Sequence, residues 1–250
     1  MSAFFRALAE HPVLTGVALV ATPYFLVFIA LQKKAFSRGA TKCLTRFYFK
    51  PTTPLLILHQ KYIKRVRDFT CVDDGIYLGC FPSSTLGDVR RMHDDLQIGG
   101  VINLMDEWEG PVAAYEKYGI QQLRLPTIDH MEPSVKDMER AVAFIREIRE
   151  HADHSGVLIH CKGGHGRSAV SGCVMLSRDR VATNCDRGSL CLLCFVWVQA
   201  IAVCWLLAEK NMTPQQAAQH LLSRRKVRKK LASQPNINAF WDNLHQRSDL

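Results

Sequence analysis

Cysteine is scarce in this chain. Nine residues in 250, irregularly spaced, exclude a secreted disulfide framework and a zinc ribbon, and read as thiols in a reducing compartment. Acid is missing altogether from Lys33 to Arg67, which holds ten Lys or Arg. This one segment accounts for the net charge of +9, and the rest of the chain is near neutral. Charge of either sign is missing from the nineteen residues Val13 to Leu31. With 48% apolar and 22% charged residues, disorder, collagen and coiled coil are excluded as well. What is left is one globular domain of ordinary size and an N-terminal extension.

The place of the charge decides its meaning. A nucleic-acid binder spreads Lys and Arg over a folded face, whereas a basic block directly after an apolar helix faces anionic lipid head groups. Val13–Leu31 is long enough to cross a bilayer core of roughly 30 Å at about 1.5 Å per residue, and Pro23 is a kink that membrane helices tolerate. A cleaved secretory signal has a shorter apolar core and a small-residue cleavage site. A buried core helix of this length without charge is the other alternative. The expected organisation is a membrane segment over 1–32, a basic linker over 33–68 and a folded domain over 69–250. The positive-inside rule places that domain on the cytosolic or matrix-like side of a single-pass anchor. An anionic membrane surface is the expected partner, and nucleic acid is not.

Beyond the linker the pattern is that of an α/β domain. Ile76–Leu78, Val101–Leu104, Gln122–Leu125 and Val157–Ile159 are short apolar or alternating runs between turns, and so predict strands. Ser134 predicts an N-cap, followed by Met138, Val142, Ile145 and Ile148 at helical spacing as far as His151. Strands alternating with helices imply a mostly parallel central sheet flanked by helices, with ligands at the carboxyl ends of the strands.

The strand at Val157 runs into His160-Cys161-Lys162-Gly163-Gly164-His165-Gly166-Arg167-Ser168. A cysteine six residues before an arginine is weak evidence alone, and the context supplies the specificity. An apolar strand, three glycines and a following helix-forming run let the loop curl with its backbone N–H groups inward, an anion cradle at a helix N-terminus. Such a cradle favours thiolate over thiol at Cys161, making it a nucleophile. Arg167 offers a planar fork for two phosphate oxygens, and Gly163, Gly164 and Gly166 allow close backbone approach. Ser168 is placed to donate to the sulfur. Lys162 and His165 suit a substrate with more negative charge than one phosphotyrosine. The bland reading is a core cysteine beside a glycine-rich turn.

These residues resemble the cysteine-dependent dual-specificity phosphatases, whose His-Cys-x5-Arg-Ser/Thr signature is matched in full from His160 to Ser168. The likeness extends from about Asp73 to Leu244. Ile76-Tyr77-Leu78-Gly79, Val101-Ile102-Asn103-Leu104 and Leu125-Pro126-Thr127-Ile128-Asp129 look like the mitochondrial phosphatidylglycerophosphate phosphatase group. The resemblance implies a dual-specificity-phosphatase fold and phosphomonoester hydrolysis through a phospho-cysteine, with no metal or cofactor. It implies a lipid phosphate or a phosphoprotein as substrate, and the mitochondrial inner membrane as location. It also implies a general acid about thirty residues before the cysteine. Asp129, thirty-two before, is that residue. A turn or capping aspartate is its bland reading, and Asp106, Glu107 and Glu109 are rival acids. A catalytically impaired phosphate-binding module is the alternative to an enzyme.

One stretch departs from the family pattern. After Ala169 the family continues in one helix, and a natural continuation, Ala-Ile-Ala-Val-Cys-Trp-Leu-Leu, appears only at Ala200. Val170–Gln199 is therefore an insertion or an unspliced intron of ninety nucleotides: Val-Ser is encodable as a splice donor and Gln as an acceptor end. The uncharged run Leu190–Leu207 is also long enough for a second membrane helix, a reading that would carry the helix behind the loop away from the sheet.

Overall fold

The computed structural model describes residues 22–24, 26–27, 29–31, 35–47, 69–128, 132–151, 153–162, 197–224 and 231–248. The chain divides into two compact units, Met1–Leu44 and Thr45–Leu250. In the first, residues 22–24, 26–27, 29–31 and 38–44 are helical, and Ser37 Oγ accepts from the Ala40 amide at 3.4 Å near the start of the second helical stretch. Most of the expected membrane span lies outside the described residues, and no helix among the described ones is long and apolar enough to cross a membrane.

The second unit is built on a five-stranded sheet. Its strands are β1 (Thr70–Asp73), β2 (Ile76–Cys80), β3 (Ile98–Met105), β4 (Gln121–Thr127) and β5 (Gly156–Cys161). Among the described residues six helices follow or separate them: α1 (Asp88–Asp94), α2 (Val112–Lys117), α3 (Val135–His151), α4 (Trp197–Lys210), α5 (Pro214–Arg224) and α6 (Pro235–Ser248). The strand order is β1-β2-β5-β3-β4. Every pairing is parallel except β1–β2, so the mostly parallel sheet expected from the sequence carries one antiparallel edge strand. That hairpin turns at Asp74-Gly75, where Gly75 takes a left-handed φ of 67° that a side chain would strain.

β3 and β5 are buried along their whole length, which explains their near-continuous apolar sequences: both faces of a central parallel strand are covered. One face carries Ile76, Leu78, Ile102, Val157 and Ile159 against Met138, Val142, Ile145 and Ile148 of α3 and Ala200–Leu207 of α4. The other carries Val101 and Leu158 against Val89, Met92 and Tyr115 of the short helices α1 and α2.

Two helix starts, those of α3 and α5, follow capping chemistry. Ser134 Oγ accepts from the Asp137 amide at 3.1 Å and donates to its carboxylate at 2.7 Å. At α5 the Gln216 amide donates to Thr213 Oγ1 at 3.3 Å, while Gln216 Oε1 accepts from the Thr213 amide at 2.9 Å, a reciprocal box. Within the uncharged run Leu190–Leu207, Ala200–Leu207 is core. Trp205 Nε1 ties α4 to the β1–β2 hairpin by donating to Asp73 Oδ2 at 2.9 Å.

Candidate active site

The strand ends that matter are those of β2, β5 and β3, side by side and parallel. β5 terminates at Cys161, which is 2% exposed and lies opposite Cys80, the last residue of β2. One residue earlier, His160 sits between Gly79 of β2 and Asn103 of β3. Alternation along the strand turns Cys161 to the face of Val157 and Ile159 and His160 to the opposite face.

His160 is fully buried, with its ring edge-on to Trp108 at 5.9 Å. Trp108 in turn packs on Phe81 at 5.3 Å. Neither ring nitrogen of His160 has a hydrogen-bond partner among the described residues. Burial drives the imidazole down to about 3, against a weaker opposing pull from the Cys161 backbone. The side chain is thus neutral across the physiological range.

Asn103, fully buried, builds the loop that follows β3. Its Oδ1 accepts from the Met105 amide at 2.9 Å and its Nδ2 donates to the Trp108 carbonyl at 3.1 Å. From the next strand, Gln122 Nε2 donates to the Glu109 carbonyl at 2.9 Å and Arg124 pairs with the Glu109 carboxylate at 3.2 Å. Arg46 pairs with Asp106 at 2.9 Å, and that carboxylate is only 10% exposed. The sequence therefore brings its acidic loop to the carboxyl end of β3, beside that of β5. Two of the three rival acids are already engaged with arginine.

Asp129 itself lies outside the described residues, but both of its flanks are placed. Thr127 is buried at the end of β4, its hydroxyl donating to the Leu125 carbonyl at 2.9 Å. Pro133, just before the cap of α3, has its carbonyl held by Asn236 Nδ2 at 2.8 Å. Of the expected cradle, Cys161 and the half-buried Lys162 are described. Gly163, Gly164, His165, Gly166, Arg167 and Ser168 lie outside the described residues. Among the described residues no three His, Cys, Asp or Glu side chains gather as a metal site.

Sequence reading passed over His160 as an environment for the cysteine, Asn103 as the builder of the acidic loop, and Cys80. Only the first carried a local signal, by standing next to Cys161. The other two owe their place to strand order.

Residues 76–183 match the family described as dual specificity phosphatase, catalytic domain. Phosphatidylglycerophosphate phosphatase PTPMT2 of Arabidopsis thaliana is 27% identical over 183 residues, which are 72% of this chain and 65% of that relative. Phosphatidylglycerophosphatase and protein-tyrosine phosphatase 1 of Mus musculus is 30% identical over 139 residues, 51% of this chain and 68% of the relative. The chain thus spans just under two thirds of the Arabidopsis protein and slightly more of the mouse one. Among solved structures, the crystal structure of PTPMT1 shares the fold, with a TM-score of 0.52 at 20% identity over 73% of this chain and 99% of that one. On the signature ending β5, the acidic loop after β3 and these relatives together, the chain belongs to the dual specificity phosphatase family, in the group of the phosphatidylglycerophosphate phosphatases.

Proposed function

We propose that the chain is a cysteine-dependent phosphatase that hydrolyses a lipid phosphate such as phosphatidylglycerophosphate through a phospho-cysteine intermediate. The observation that carries this reading is Cys161 at the buried carboxyl end of the central strand, leading straight into a glycine-rich segment that closes on Arg167. In the first step the Cys161 sulfur attacks phosphorus in line while the P–O bond to the leaving group breaks. Arg167 and the backbone N–H groups of Gly163, Gly164 and Gly166 hold the equatorial oxygens. Asp129 donates its proton to the leaving oxygen. In the second step the same carboxylate takes a proton from the water that attacks phosphorus, and the sulfur departs with a hydrogen bond from Ser168. Lys162 and His165 add positive charge at the rim.

The lipid preference rests on three things. The relatives are named for phosphatidylglycerophosphate. A crystal structure of PTPMT1 holds PI(5)P. The basic segment 33–67 follows an uncharged run suited to a membrane anchor. We place the chain on the inner mitochondrial membrane by a single N-terminal span over Val13–Leu31, with 69–250 as the phosphatase domain. Val170–Gln199 is read as an insertion or retained intron between the cradle and the helix that contains Ala200. A protein substrate is the second reading, favoured by the double name of the mouse relative.

A panel of phosphatidylglycerophosphate, phosphoinositides and phosphopeptides, run against the intact chain and Cys161→Ser, tests both readings. Fastest turnover of the lipid, abolished in the variant, is expected. A phosphopeptide turned over faster than any lipid moves the assignment to a protein phosphatase. Phosphate release that survives in Cys161→Ser overturns the mechanism.

A further inference from the structure

The loop that follows β3 is held from three directions. From its own strand, Asn103 accepts from the Met105 amide and donates to the Trp108 carbonyl. From β4, Arg124 pairs with the Glu109 carboxylate at 3.2 Å and donates to the Met105 carbonyl at 3.5 Å. The third hold comes from far away in sequence: Arg46 Nε donates to Asp106 Oδ2 at 2.9 Å across a separation of sixty residues. Arg46 belongs to the basic segment 33–67, which holds no acid. Its side chain is about half exposed, whereas the carboxylate it meets is 10% exposed. The next residue, Phe47, is 68% exposed, so at this point the linker presents a cation to the loop and an aromatic ring to its surroundings.

What the loop brings to the site is Trp108. Its indole lies edge-on to the His160 ring at 5.9 Å and to Phe81 at 5.3 Å, and His160 immediately precedes Cys161. Asp106 stands two residues before Trp108, so displacement of the carboxylate is passed to the indole within one short loop. We propose that Arg46 is a positioning residue: its ion pair with Asp106 seats the acidic loop, and with it Trp108, behind the nucleophile. The basic linker would then complete the active site as well as face lipid. This rests on the reading of Cys161 as the nucleophile. An ion pair with a half-exposed cation adds little to overall stability. A charge-assisted hydrogen bond to a shielded carboxylate nevertheless fixes geometry, and a misplacement of about 1 Å near reacting groups costs up to about a hundred-fold in rate. The contribution of Arg46 is therefore to rate rather than to folding.

Steady-state kinetics of the full chain, on a soluble aryl phosphate and on phosphatidylglycerophosphate in vesicles, test this. Arg46→Gln is expected to lower kcat about three- to ten-fold on both substrates, with KM for the aryl phosphate little changed. Its melting temperature should stay within about 2 °C of the unaltered chain. Asp106→Asn should reproduce the effect, and the double variant should lose no more than either single one, because both remove the same contact. Asp106→Asn is isosteric and carries the test if Arg46→Gln does not fold. A loss confined to vesicles makes Arg46 one more lipid-facing cation and overturns the proposal. Losses that multiply in the double variant, or a fall in melting temperature large enough to account for the lost activity, overturn it too. If kcat is unchanged in Arg46→Gln while Cys161→Ser is inactive, only this inference falls. If Cys161→Ser keeps its phosphatase activity, the nucleophile reading falls.

Discussion

A neutral imidazole lies immediately behind the thiol at the end of β5, and its neutrality has a cost in acid. His160 is held at about 3 in the fold, against an ordinary 6.5. Between those values the unfolded chain binds a proton that the native one does not. The native state is therefore fully stable, as far as this group goes, above about pH 6.5, and loses stability as pH falls towards 3. The loss by pH 4 is roughly 3 kcal/mol. Denaturant titrations at pH 7, 6, 5 and 4 should show that slope, and His160→Gln should flatten it; an unchanged slope in the variant contradicts the assignment. A second residue-scale expectation concerns the proton donor. Asp129→Asn should lower kcat by about 10² to 10⁴ on a poor leaving group with KM little changed, while Asp106→Asn mainly breaks the ion pair with Arg46. The reverse pattern in steady-state kinetics would transfer the role to the acidic loop. At this scale the family signature was legible because its parts are consecutive in the sequence, from His160 to Ser168. The neighbours of that strand end were not, because Cys80 lies opposite Cys161 and Asn103 opposite His160 across strands, and no local pattern encodes which strands are adjacent.

Secondary elements were legible where their physics is local. The four strands expected from apolar runs are all present, as is the Ser134 cap. β1 was missed because Thr-Cys-Val-Asp is short, mixed in polarity and at a sheet edge, with only Val72 buried. α1 and α2, at seven and six residues, are too short to display a helical period. β4 runs on past its expected end through Pro126, which an edge strand accommodates because one side of it has no ladder to feed. Ser134→Ala should lower stability by about 1 kcal/mol in a denaturant titration, since it removes the acceptor for an otherwise orphaned amide; a loss within error would mean that the Asp137 carboxylate takes over. A larger expectation attaches to α4. Joining Ala169 to Ala200 replaces the first turn of that helix, Trp197-Val198-Gln199, by Arg167-Ser168-Ala169 and leaves the core residues Ala200–Leu207 untouched. The shortened chain should be more active and melt higher, and transcripts should lack the thirty codons. Equal activity and melting temperature, or the codons present in most reads, would make 170–199 a tolerated part of the protein.

Over the whole molecule, charge is distributed in a way the sequence displays without any structure: ten cations and no acid between Lys33 and Arg67. Brought within a Debye length of about 8 Å of an anionic surface, several of them would each contribute up to about 1 kcal/mol to holding the domain there. Neutralising Lys61, Lys64, Arg65 and Arg67 should weaken turnover of phosphatidylglycerophosphate in vesicles and leave a soluble aryl phosphate unaffected. A parallel fall in both assays would make the segment structural. The strand order was not legible, and it carries a consequence for how the chain is made. β5 is the last of the described strands in sequence but the middle one in the sheet, between β2 and β3. Until β5 is synthesised, its two neighbours β2 and β3 have only β1 and β4 to pair with among the described strands, and their inner edges have no partner. The helix that seals the core, α4, is made later still, and the segment 170–196 lengthens the wait. Exposed strand edges at that stage are substrates for chaperones and seeds for aggregation. A message that keeps those codons would therefore be expressed chiefly through a smaller yield of soluble chain, set during synthesis before any phosphate is bound.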